Sequence, residues 1–111
     1  MSDSMMDRRQ APRYPLTLVV EVTDGVSSVK FTARTSDVSR TGCYIDLRNP
    51  LPHGSKLRLT LQNGRESFES EATVKYVSPG LGMGVEFKDD LPAERLALLN
   101  RWLANASKVS V

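Results

Sequence analysis

At 111 residues the chain is long enough for one hydrophobic core but not for two, and its 40% hydrophobic and 25% charged residues are those of an ordinary globular domain. A net charge of +2 is too small for non-specific binding to long nucleic acid, and no apolar run nears the roughly 20 residues of a bilayer-spanning helix. Met1–Asp7 lacks the apolar core of an export signal, and the one cysteine, Cys43, excludes an internal disulfide and fits a reducing cytoplasm.

Residues 1–7 read as a flexible polar tail and residues 8–106 as one domain. Its first part, residues 8–14, is a basic arm with Arg8, Arg9 and Arg13 and no helical or strand period. From Leu16 the period becomes two, with Leu18, Val20 and Val22 on one face of a half-buried strand. Asp24–Gly25 marks a turn, and Val29, Phe31 and Ala33 then share a face of the second strand. Asp37–Val38–Ser39–Arg40–Thr41–Gly42 interrupts the alternation as a polar turn, after which Cys43, Ile45 and Leu47 point inward.

Leu57, Leu59 and Leu61 define a fourth strand, and Asn63–Gly64 predicts a type I′ hairpin. A long fifth strand runs through Phe68, Ala72, Val74 and Tyr76, and Pro79–Gly80 turns it into Met83, Val85 and Phe87. Asp89 and Asp90 offer N-cap chemistry for a helix over residues 91–105, whose apolar face is Leu96, Leu98, Leu99, Trp102 and Leu103. The expected fold is mainly β: a small six-stranded antiparallel barrel of split-barrel or Greek-key type over residues 15–88, with one C-terminal helix.

The inventory for catalysis is poor. His53, the only histidine, sits in a turn between Pro52 and Gly54, and Cys43 has the inward parity of a buried hydrophobe. Neither belongs to a metal-ligand pattern, so no enzyme and no cofactor is expected. Residues 1–58 carry nine Lys/Arg against six Asp/Glu, whereas residues 59–111 carry six against seven, a bias that suits a small anionic ligand near the N-terminal half. Arginine forks can grip phosphate or the O6/N7 edge of guanine, and their flat faces can stack on a base. A carboxylate such as Asp37 accepts from guanine N1–H and N2–H₂, which arginine cannot do. Ser39 can donate to phosphate, Arg40 adds charge, and Gly42 permits close backbone approach. Each segment alone also fits a solvated tail or a simple turn. Together they supply opposite halves of guanine recognition.

Arg9-Gln-Ala-Pro-Arg13, followed one hairpin later by Asp37-Val-Ser39-Arg-Thr-Gly42, resembles the RxxxR and D/NxSxxG motifs of the PilZ domain, a bacterial receptor for cyclic di-GMP. Gly82-Met-Gly84-Val-Glu-Phe87 resembles that family's closing strand, and the resemblance covers about residues 8–104. It implies that Arg9 and Arg13 bind phosphate and guanine, that Asp37 and Ser39 bind base and phosphate, and that Gly42 shapes the loop. Arg8, just before the motif, fits an intercalated ligand dimer, which carries twice the phosphate charge. Tyr76 is a candidate stacking ring whose parity also allows core packing, and Gly82 and Gly84 are candidate ligand contacts for which tight strand packing is the stronger alternative. The resemblance further implies that ligand orders the arm over the barrel, and that an unidentified partner protein in motility, exopolysaccharide or biofilm control reads the change. DNA and RNA are not expected partners. Two alternatives are an adaptor that binds only protein and a barrel for single-stranded nucleic acid, for which Tyr44 and Tyr76 are the plausible exposed rings.

Overall fold

The period-two stretches fold as paired strands. The structure, a computed structural model, describes residues 11–109. Strands β1 (Val19–Asp24), β2 (Lys30–Val38), β3 (Gly42–Asp46), β4 (Lys56–Asn63), β5 (Glu66–Ser78) and β6 (Gly82–Phe87) precede helix α1 (Ala93–Val109). All neighbours are antiparallel, in the order β1-β2-β3-β6-β5-β4, and pairing of β1 with both β2 and β4 closes the barrel. This is the six-stranded barrel with one C-terminal helix that the alternation predicts. Residues of one parity from every strand fill the interior, among them Val20, Ile45, Leu59, Leu61, Phe68, Val74 and Met83, all fully buried.

Helix α1 covers part of this core with Leu99, Trp102 and Leu103, while Leu96 and Leu98 are half-buried. Its position is locked by Glu66 at the start of β5. One Glu66 carboxylate oxygen accepts from Trp102 Nε1 at 2.8 Å, and the two together accept from Arg101 at 2.7 and 3.2 Å. The Arg101 and then the Trp102 hydrogen bonds hold the Glu66 carboxyl below its usual value. Stabilisation from a depressed carboxylate is complete above its unfolded value and is lost as pH falls through the folded one. Docking of α1 is therefore expected to loosen as the pH falls below the ordinary carboxylate range. Glu66→Gln, which keeps an acceptor for Trp102 but no charge, should flatten this acid limb, read from the fluorescence of the single tryptophan.

Four local expectations need correction. Val29 does not face inward with Phe31 and Ala33: it is 58% exposed, in a loop where Ser28 takes a φ of 63°. The β4–β5 turn has Gly64 and Arg65 at its centre, and only the glycine has positive φ, so it is the II′ rather than the I′ arrangement. Asp89 and Asp90 do not cap the helix; the Pro92 carbonyl accepts from Leu96 N–H as the first helical bond, and Asp90 pairs with Lys88 at 3.9 Å. Asp37 and Val38 belong to β2 rather than to the turn.

Candidate functional site

Two β-bulges build the site. In β2 the register shifts between Thr35 and Asp37, so Ser36 is an extra residue opposite β3. In β5 it shifts between Val74 and Tyr76, with Lys75 extra opposite β6. One added residue reverses the parity of all that follows. In β2 this buries Val38 and turns Asp37 outward; in β5 it packs Val77 against the core and leaves Tyr76 41% exposed. The core-packing alternative for Tyr76 is thereby excluded.

The arm is laced to the first bulge. The buried Thr35 hydroxyl donates to the Leu16 carbonyl at 2.8 Å and accepts from Leu18 N–H at 2.9 Å. Tyr14 and Val38 then exchange both backbone hydrogen bonds, at 2.9 and 3.0 Å. That bridge carries Arg13 to Asp37. One guanidinium nitrogen lies 3.9 Å from the Asp37 carboxylate, another donates to the Tyr76 hydroxyl at 3.1 Å, and the group sits 6.0 Å from the Tyr76 ring centre. The Tyr76 hydrogen bond, and to a lesser degree the Asp37 charge, raise the Arg13 pKa against the opposing effect of burial, so the guanidinium remains charged. Ala11 and Tyr14 are buried and half-buried, which docks this end of the arm on the barrel. Arg8 and Arg9 lie outside the described residues.

The turn Ser39–Arg40–Thr41 between β2 and β3 is held from within. The buried Ser39 hydroxyl accepts from the N–H groups of Thr41 and Gly42 at 3.1 and 3.2 Å, and its own N–H donates to the Gly42 carbonyl at 2.8 Å. Ser39 thus shapes the turn in this structure, and Arg40 is exposed beside it. Gly42 is a packing requirement, since a Cβ there would overlap the Val85 backbone carbonyl.

The outer face beside Asp37 is aromatic. Gly82 and Gly84 share a parity on β6 and leave a trough into which Tyr44 and Tyr76 lay their rings, 6.1 Å apart and inclined by 23°. A side chain at Gly84 would overlap the Tyr76 ring, and one at Gly82 the Tyr44 ring and the Ile45 carbonyl. Tyr44 was expected only as a nucleic-acid contact; the paired glycines, which ask for rings from the adjacent strands, were the signal for its place here. Arg13, Ser39, Thr41, Lys75, Tyr76 and Glu86 line a cleft of about 240 Å³ above Gly84 and Cys43. Burial, then the Asp37 charge, push the Cys43 thiol far up, so it is an apolar part of that floor. A larger cleft of about 690 Å³ crosses β1, β4, β5 and β6. It holds none of the motif residues, and its Arg58 is paired with Glu71 at 3.5 Å. The smaller cleft has the chemistry: a guanidinium, a stacking ring and the Ser39–Gly42 turn, with the Asp37 carboxylate beside Arg13 at its edge.

A family model described as the PilZ domain matches residues 7–105. No curated protein sequence matches the chain. Among solved structures, the PilZ domain with c-di-GMP of YcgR from Escherichia coli superposes with a TM-score of 0.76 at 15% identity, covering 93% of this chain and 94% of that one. The PilZ domain of CeSA from a cellulose-synthesizing bacterium gives 0.66 at 20% identity, with 87% and 99% covered. The Bacillus subtilis inhibitor of motility MotI/DgrA gives 0.72 at 21%, with 91% of this chain matching 52% of that one. At these identities the structural likeness establishes the fold.

Proposed function

The chain belongs to the PilZ domain family, and from that membership we propose that it is a receptor for cyclic di-GMP with no catalysis of its own. The ligand lies between the arm and the Asp37–Tyr76 face of the barrel. The observation that carries this reading is Arg13, held by the Tyr14–Val38 bridge against both Asp37 and Tyr76. Its pairing with Asp37 is long and partly exposed, of the kind worth about 0.2–1 kcal/mol. A phosphate, which offers charge-assisted hydrogen bonds of about 1.5–3 kcal/mol, draws the guanidinium away. Asp37 is then free to accept from guanine N1–H and N2–H₂, and the Tyr76 ring offers a stacking face. Ser39 and Gly42 serve by fixing the turn beside Asp37.

Arg9 stands four residues before Arg13, a reach of roughly 14 Å in extended chain, and so Arg8 and Arg9 can close on the same ligand. In this reading binding brings residues 8–10 onto the cleft, and the altered surface is what a partner protein in motility, exopolysaccharide or biofilm control recognises in the cytoplasm. An intercalated ligand pair carries four phosphates, which suits the extra arginine Arg8 beside Arg9 and Arg13, and Arg40 adds to the field beside it.

Calorimetric titration with cyclic di-GMP tests the proposal. Saturable heat with two ligands per chain is expected; a flat trace sinks it. Binding of oligonucleotides instead, with a steep salt dependence, marks the single-stranded nucleic-acid reading. Capture of a partner with no response to the dinucleotide marks the adaptor reading. Gly84→Ala is expected to displace the Tyr76 ring and weaken the dinucleotide severalfold, while the melting temperature changes little because that ring is on the surface.

A further inference from the structure

Consecutive side chains of a strand ordinarily point to opposite faces. At the β5 bulge this rule is suspended: Lys75 and Tyr76 are both exposed, and both line the cleft with Arg13. Lys75 Nζ lies 3.4 Å from Glu86 Oε1, the two side chains being 53% and 38% exposed. This pairing has the character of Arg13 with Asp37, a cation resting on a carboxylate across water-accessible space. The cleft therefore presents a ring and two cations, and each cation can leave its carboxylate at small cost.

An intercalated pair of cyclic dinucleotides carries four phosphates, one more than Arg8, Arg9 and Arg13 can neutralise. We infer that Lys75 is a further ligand-binding residue of the cleft, taking a phosphate of the dinucleotide, and that Glu86 is the competitor holding it in the free protein. This rests on the receptor reading above. The geometry assigns the bulge a purpose: without its extra residue, Tyr76 would turn inward and Lys75 would stand alone on that face.

The test is calorimetric titration of cyclic di-GMP into the unsubstituted chain, Lys75→Gln, Glu86→Gln and the double variant. Lys30→Gln, an equal loss of charge outside the cleft, is the control, and thermal melts report folding of each. Lys75→Gln should weaken binding roughly tenfold, the loss of one charge-assisted contact, with Lys30→Gln changing it by less than about twofold. Glu86→Gln should tighten binding a few-fold, and that gain should vanish in the double variant. Equal effects of Lys75→Gln and Lys30→Gln overturn the inference, as does a Glu86→Gln gain that survives without Lys75. A flat trace with the unsubstituted chain overturns the receptor reading, and a response of that chain alone separates the two failures.

Discussion

Arg13→Ala is expected to weaken cyclic di-GMP binding by about ten- to a hundredfold while leaving the fold nearly as stable as before. The first half follows from the loss of a charge-assisted contact worth roughly 1.5–3 kcal/mol. Starting from micromolar affinity, about −8.2 kcal/mol, that loss removes measurable binding at ordinary working concentrations. The second half follows from exposure. The Arg13 side chain is 58% exposed, and its partners in the free protein are a surface carboxylate and a surface hydroxyl. Arg13→Lys should recover only part of the affinity, because a point charge keeps the attraction but neither the two-pronged grip nor the flat stacking face. Titration and melting of both variants check this. An alanine variant that binds as tightly as the original chain places the phosphate elsewhere.

Phe68→Ala should do the reverse. Phe68 is fully buried and joins the barrel to its helix, with ring centres 5.1 Å from Phe87 and 6.5 Å from Trp102. Truncation removes both contacts and leaves a void between two rigid layers, for a loss of about 3–5 kcal/mol. That is a large share of the roughly 5–15 kcal/mol by which a domain is stable. Urea unfolding followed by Trp102 fluorescence measures it, and a loss below about 1 kcal/mol would mean that the helix packs independently of the barrel. Because Phe68 lies inside and the cleft outside, the folded fraction should bind dinucleotide as before.

Much of this architecture is legible in the chain. The strands show because one face is buried and the other wet, which writes burial into every second residue: Val20 and Val22, Leu57, Leu59 and Leu61. The helix shows because Leu99, Trp102 and Leu103 recur at its turn. Arg13, Asp37, Ser39 and Gly42 are visible as a spaced motif, since chemistry at a site limits residue type. Their separate tasks are not visible. Ser39 and Gly42 are committed to the turn and the β3–β6 contact, and Asp37 and Arg13 face each other, only because of where the backbone goes.

Residue types and spacing alone determine the strands, the helix and the motif of this protein, since those follow from burial and chemistry that act locally. The tertiary structure decides which way Asp37, Lys75 and Tyr76 point. Their direction depends on the bulges at Ser36 and Lys75. A bulge arises from mismatch with the neighbouring strand, β3 in one case and β6 in the other, and so has no signature within the strand that carries it.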